Sequence, residues 1–336
     1  VADQARTHTV LRFTFGVTVA LVAAELLQWL PTFLVPVLVA VILANVPVRP
    51  PPKVAVGLFV VVAASAAIAL LLSLAALRTP TILFGLAAVI VFHALYAIAR
   101  GRPRLAPLML LICVTTIPVV TLESPEAAGA FAFALVRATV LALVIVWASY
   151  LLWPRVMPVR AVATPESLPH TVQLKSALLG TTILTPLMLV YLMLGLADAL
   201  PVLVATTMIV VNLDFHRGRI QALALVAGNV GGGVIALLMF LLLAVEPSLP
   251  SLVVLTALTA LAFGWRISAR DALAPVFLVA LNAALIVFTS SLLTDQDTFD
   301  VWMTRLTQFV VAGAFAIGMM ALMWPAKSAA GASSHA

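Results

Sequence analysis

Apolar runs about 20 residues long follow one another along the chain with little between them. Leu11 to Leu30, Val54 to Leu77, Gln221 to Val245 and Trp302 to Trp324 are four of them. A helix rising about 1.5 Å per residue needs about 20 apolar residues to cross a ~30 Å hydrocarbon layer. These runs therefore have the length of membrane spans. They lack the strict alternation of a membrane β-barrel, and the other way to satisfy backbone groups in lipid is the α-helix. Only 9% of the residues are charged and 64% are hydrophobic, whereas a soluble domain has roughly a quarter of its residues charged. Such a chain could not coat a water-exposed surface. The expected fold is an all-α integral membrane protein.

Punctuation by Pro, Gly and charge divides the sequence into about 12 transmembrane helices. The first six are placed near 11–30, 32–46, 54–77, 80–99, 105–122 and 130–153. The second six are placed near 174–196, 200–213, 219–245, 250–264, 272–293 and 302–324. The first run is too long for a signal-peptide core, so it is expected to stay as a span. Cytoplasmic loops retain Lys and Arg. With the N-terminus inside, 15 of the 18 basic residues fall on the inner side. The exceptions are Arg78, Arg137 and Arg305. Outer loops carry Glu123, Glu126, Asp198, Glu246, Asp295, Asp297 and Asp300 instead. Both termini are thus expected in the cytoplasm.

The two halves echo each other. Leu105-Ala106-Pro107 opens the fifth span and Leu273-Ala274-Pro275 the eleventh. Leu152-Trp153-Pro154 closes the sixth and Met323-Trp324-Pro325 the twelfth. Gly16 and Gly180 hold matching places in the first and seventh. Six spans per half leave the halves in one orientation, so the reading is two parallel six-helix repeats, an arrangement used by transporters. The expected divisions are a first membrane repeat over 1–154, a cytoplasmic linker over 155–173 with Pro158, Pro165 and Pro169, a second repeat over 174–325, and a disordered cytoplasmic tail over 326–336.

Several function classes drop out. The lone Cys113 offers neither a disulfide framework nor a thiolate metal site. No metal-ligand cluster, nucleophile–base pair or Gly-Lys-Ser/Thr phosphate loop is present in the sequence, so no cofactor, no metal and no enzymatic activity are expected. The net charge of +6 is explained by topology, not by a nucleic-acid partner. The partners implied are membrane lipids and a transported solute, and self-association into a homo-oligomer stays open.

Glu25 is the sharpest candidate. It lies within the first span, about 20 Å along the helix from Arg12. A carboxyl group inside a span is costly on insertion scales, by about 2.5–3.5 kcal/mol, and by default marks a functional site. Glu25 is therefore a candidate proton carrier. The alternative is a structural hydrogen bond near the outer interface. Thr14, Thr18, Glu25 and Gln28 fall near one another around the helix and make a polar stripe, a candidate pathway lining. Arg137 and Arg305, toward the outer side of the sixth and twelfth spans, are candidates to attract an anionic substrate or to hold Glu25; for Arg305 the alternative is snorkelling to the outer interface. The second and eighth spans are both short. Each contains proline, Pro36 and Pro201, and each ends near an asparagine, Asn45 and Asn212. Broken segments at corresponding places point toward a binding site. Asn282 is mid-span, a candidate substrate or anion contact with an interhelical hydrogen bond as the alternative. His93, in the inner third of the fourth span, is a candidate pathway lining with simple packing as the alternative.

The opening Leu11-Arg12-Phe13-Thr14-Phe15-Gly16-Val17-Thr18, the proline-containing second span and the two halves closing in Trp-Pro resemble the fusaric acid resistance and aromatic acid exporter superfamily. The likeness covers about Leu11 to Pro325. Larger members carry a cytoplasmic domain between or after the halves, where this chain has only the linker. The resemblance implies a bacterial inner-membrane exporter of aromatic carboxylic acids or related toxic organic compounds, driven by the proton gradient. It also implies a periplasmic adaptor (membrane fusion) protein and an outer-membrane channel as partners. An anion or carboxylate channel and a non-transporting assembly subunit are the competing expectations.

Overall fold

The computed structural model describes residues 2–46, 48–75, 78–103, 105–156, 169–194, 203, 204, 206, 207, 210, 211, 215–271, 273–293 and 298–323. Within them the chain is helix joined by short turns. The helices are α1 (Ala2–Leu26), α2 (Leu34–Asn45), α3 (Pro52–Ala75), α4 (Pro80–Ala99), α5 (Leu105–Glu123) and α6 (Pro125–Leu152). They continue with α7 (His170–Leu194), α8 (Phe215–Val245), α9 (Leu249–Ser268), α10 (Ala274–Leu293) and α11 (Thr298–Met323). Among the described residues, eight helices are long and apolar enough to cross a membrane, and Leu34–Asn45 and Leu105–Thr121 are shorter apolar helices. The protein is an all-helical membrane protein. Each helix falls on one expected span. The remaining span, 200–213, lies mostly outside the described residues, as do Pro201 and Asn212. Most of the expected linker and the whole tail lie outside them too.

The first helix differs from its expected bounds of 11–30. It begins at Ala2 and ends at Leu26. The polar opening turns are helical because α9 gives them partners. Arg6 Nε donates to Ser268 Oγ at 3.3 Å, and the Arg6 guanidinium stacks 4.3 Å from the centre of the Trp265 ring. The end is set by a left-handed residue. Gln28 has φ 52°, the Trp29 amide donates to the Ala24 carbonyl, and the Gln28 amide donates to that of Glu25, both at 3.0 Å. This is the Schellman geometry that closes a helix. Gly101, at φ 75°, closes α4 in the same way, with Arg102 bonded back to Ala97. At the other kind of end, Ser124 caps α6 by accepting from the Ala127 amide at 3.2 Å, followed by Pro125 at the first helical position. Ser248 caps α9 likewise through Ser251 at 3.3 Å.

Two buried clusters hold the bundle. The first gathers Val17, Leu21, Val39, Val146, Leu281 and Phe288 from α1, α2, α6 and α10. The second gathers Val91, Leu95, Ile117, Ile183 and Met188 from α4, α5 and α7. Meanwhile Val60, Val89, Val144, Val234 and Leu258 stand exposed in the middle stretches of their helices. In water such an apolar perimeter would be a liability; against lipid tails it is the matching surface. Packing inside lipid relies on small residues that let backbones approach. A Cβ at Gly16 would come within 2.8 Å of Leu43 Cδ1 and 3.0 Å of Val39 Cγ1 on α2. One at Gly180 would come within 2.7 Å of Leu95 Cδ1 and 3.0 Å of Val210 Cγ1. Gly228 and Gly232 press α8 onto Val279, Ala280 and Ala283 of α10, and Gly233 receives the Trp302 ring.

Candidate functional site

Most hydroxyl-bearing side chains in these helices return their proton to their own backbone. Thr115, Thr121, Thr139, Thr256 and Thr289 each donate to the carbonyl four residues back at 2.8 Å, and Ser73 and Ser291 do so at 2.6 and 2.9 Å. That local bond neutralises a hydroxyl where no other partner exists. Thr14 and Thr18 of α1 break the habit. Their Oγ1 atoms are buried and have no hydrogen-bond partner. Among the described residues seven buried side-chain N or O atoms are in this state, and five belong to α1: His8 Nδ1, Arg12 Nη1, Thr14 Oγ1, Thr18 Oγ1 and Glu25 Oε1. The other two are Thr185 Oγ1 and Asn282 Oδ1. Buried polar groups in folded proteins are nearly always paired, and an unpaired one calls for a water, an ion or a ligand.

Helical geometry aligns three of the five on α1, while His8 and Arg12 lie about 120° and about 160° round the helix from Thr14. At about 100° per residue, Thr14, Thr18 and Glu25 lie within about 40° of one another on one face of α1. The stripe from Thr14 to Glu25 is about 16 Å long at about 1.5 Å per residue. A cleft opens at each end of it. The one at the N-terminal end of α1, named the inner cleft for that end of the chain, is about 490 Å³ and is lined by Gln4, Thr7, His8 and Leu11 of α1 with Trp153, Pro154 and Arg155 beyond α6. Arg155 donates to Gln4 across its rim. The one at the Glu25 end, named the outer cleft in contrast, is about 300 Å³ and is lined by Glu25 and Gln28 with Leu243, Pro247, Ser248 and Leu252 among the other residues of α8, α9 and the turn between them. One helix thus carries two clefts and, between them, polar atoms left without partners.

The remaining candidates fall in different places. Glu25 sits in the last turn of α1, beside the outer cleft, and not midway along the helix. Gln28 donates from Nε2 to the Glu25 carbonyl at 2.8 Å, so it faces the same cleft while closing the helix. Arg137 on α6 donates from Nη2 to the Leu30 carbonyl at 2.9 Å and lies 4.8 Å from the centre of the Trp29 ring and 5.7 Å from that of Phe133. Its partners are the turn after α1 and two rings, not Glu25. Asn45 is exposed and donates to Val41 of its own helix at 2.8 Å. His93 is exposed, and its Nδ1 lies 2.8 Å from the Val89 carbonyl. Asn282 on α10 holds a buried, unpartnered Oδ1. Arg305 lies on α11 with its side chain outside the described residues, and Asn212 lies wholly outside them.

Sequence reading passed over Arg12. It served there only as a marker of depth, yet it is 3% exposed. Its Nη2 donates to Thr9 Oγ1 at 3.0 Å and its guanidinium lies 4.2 Å from the centre of the Tyr150 ring. The Tyr150 hydroxyl in turn donates to the Val46 carbonyl at 2.8 Å, tying α6 to the end of α2. A cation inside an otherwise apolar run was the available signal.

Comparison with known proteins gives one finding. Residues 9–149, from early α1 to near the end of α6, match a family model described as a protein of unknown function, DUF2955. Nothing matches among curated proteins or among solved structures.

Proposed function

We propose that this chain is an inner-membrane exporter of aromatic carboxylic acids or related toxic organic compounds, driven by the proton gradient. The observation that carries the reading is α1, with a cleft at each end and buried, unpartnered polar atoms between them. A purely structural helix would have back-bonded Thr14 and Thr18 as its neighbours do. A helix beside a solute path leaves such atoms for water and substrate. Glu25, a carboxyl group at the outer cleft, is the proton carrier in this reading.

Two parallel six-helix repeats belong to the proposal. What supports them is a reciprocal packing. α1, the first helix of one half, lies on α9, and α7, the first of the other, lies on α4. In the twelve-span numbering each is a first helix against the opposite fourth. The match continues: α3 packs on α5 and α6 as α8 packs on α10 and α11. Both termini then lie in the cytoplasm. The turns at the Glu25 end, such as residues 27–33 and 246–248, are short. A chain with such turns needs a periplasmic adaptor and an outer-membrane channel to move solute past the cell envelope.

Transport from proteoliposomes tests the reading. Vesicles loaded with radiolabelled benzoate release it faster under an imposed pH gradient, and Glu25→Gln removes that acceleration. Gradient-stimulated release that is unchanged in Glu25→Gln removes the proton-carrier role. Current that flows without a pH gradient replaces the exporter with an anion channel.

A further inference from the structure

Arg12 and His8 are four residues apart, about 6 Å along α1, and each presents a buried nitrogen with no partner. His8 also lines the inner cleft. A guanidinium is always protonated and offers five N–H donors in a planar fork. Buried cations are normally paired with a carboxylate. Arg12 instead meets a threonine hydroxyl and the face of Tyr150. The Tyr150 phenol and Arg270, another cation, act on it electrostatically. Arg155 adds positive charge at the rim of the cleft below. Among the described residues no carboxylate pairs with Arg12, and the cations near it favour an anion.

We propose that Arg12, on the side of α1 turned away from Thr14, is an anion-binding centre one turn beyond His8 and the inner cleft, taking the carboxylate of a small organic acid on Nη1. The ligand reaches it from the inner cleft past His8. The burial decides the ligand class. At 3% exposure Arg12 lies inside the bundle, packed with α1, α6 and α2 through Tyr150 and Val46, not on the lipid-facing perimeter. Nη1 has no exposed surface in this structure, so its ligand enters as the His8 side chain gives way at the inner cleft, a route open to a free monoanion and closed to a headgroup tethered to its chains. The neighbouring rings, Tyr150 under the guanidinium and Phe15 edge-on to Trp153 at 5.4 Å, suit an acid whose body is apolar or aromatic. This inference rests on the reading of the chain as a carrier of organic anions, and it names the residue that recognises the charge.

The test is binding to the full chain in nanodiscs, with benzoate as probe and benzamide as its neutral isostere. A charge-assisted hydrogen bond in a buried site is strong, so benzoate binds at least about 10-fold more tightly than benzamide. Arg12→Gln removes that preference and Arg12→Lys keeps part of it. Trp147→Phe keeps a ring on the same helix but loses the indole bond to the Pro50 carbonyl, and it leaves the preference within about 2-fold of the parent. Equal affinity for the two probes overturns the site. So does a Trp147→Phe loss as large as that of Arg12→Gln, because the effect would then come from disturbed packing. Phosphatidylglycerol that co-purifies with the parent protein but not with Arg12→Gln, on native mass spectrometry, assigns the position to lipid and overturns it too. Arg12-dependent benzoate binding without vesicle transport upholds the site while the exporter reading falls. Vesicle transport with benzoate binding indifferent to Arg12 does the reverse.

Discussion

Arg137 and Leu30 are joined by a 2.9 Å hydrogen bond that ties the turn after α1 to the sixth helix. The guanidinium also covers the Trp29 ring, so a single side chain fixes both residues that lead out of the outer cleft. Arg137 therefore positions the outer end of the polar face of α1. Arg137→Ala should lower stability by about 1–2 kcal/mol, the scale of one hydrogen bond from a charged donor with some loss of ring contact. Guanidinium or urea unfolding in detergent measures it. The substrate KM should stay within about 2-fold of the parent. A large rise in KM with unchanged stability would instead make Arg137 a substrate contact.

The tightest helix pair predicts a different failure. At Gly232 a Cβ would collide with the carbonyl of Ala280 and lie 2.7 Å from Ala283 Cβ, and backbone has no rotamer to yield. Gly232→Val must push α8 away from α10, opening contacts along both. Overpacking a core costs about 1–3 kcal/mol where side chains can adjust, and here the obstruction is backbone, so the cost should reach the top of that range or exceed it. Gly231 has open space beside it, and Gly231→Ala should be neutral or slightly stabilising, since alanine is the better helix former. Thermal melting of the two variants side by side gives the comparison.

Length and hydropathy made the spans legible, because lipid permits so few backbone solutions. Helix ends were less legible. Gln28 closes α1 in a left-handed conformation usually taken by glycine, and Arg6 draws the polar first turns into helix by reaching Ser268, 262 residues away. Neither contact leaves a local pattern. The polar stripe of Thr14, Thr18, Glu25 and Gln28 could be drawn from periodicity alone. What periodicity could not supply was that Thr14 and Thr18 lack the back-bond that Thr9 makes to Ala5 at 2.9 Å in the same helix. Arg12 was passed over because its charge groups it with the inner-side cations that set topology. Its burial depends on Tyr150, which is contributed by the sixth helix.

Thr18 offers a test of stability against function. It is 8% exposed with an unpartnered hydroxyl. Valine replaces that hydroxyl with a methyl group of similar shape. In the resting protein the Thr18 hydroxyl has no exposed surface, and water reaches it only as the path opens; an unsatisfied buried hydroxyl costs about 1–3 kcal/mol, so Thr18→Val should stabilise the resting protein by up to about 1–2 kcal/mol. The same substitution should slow benzoate efflux from vesicles, because it removes one polar group from the face of α1 that joins the two clefts. Thr256, back-bonded to Leu252 at 2.8 Å, supplies the control. Thr256→Val gives no gain in stability and leaves efflux unchanged. If both variants behave alike, the unpartnered state of Thr18 has no functional meaning.

Water along α1 can be detected directly, because Cys113 is the single cysteine and is buried. Cys113→Ala removes a small apolar group and should cost about 0.5–1.5 kcal/mol, as other small core truncations do, leaving a folded background. Cysteine is then placed at Thr14, Thr18 or Val17. A thiol reacts as the thiolate, which forms readily in water and poorly in an apolar core. Val17 is fully buried against the first core cluster. A membrane-impermeant methanethiosulfonate reagent added from the inner side should modify the Thr14 and Thr18 positions at least about 10-fold faster than the Val17 position. Equal rates at the three positions would mean that the polar face of α1 is dry, and that the path runs elsewhere in the bundle.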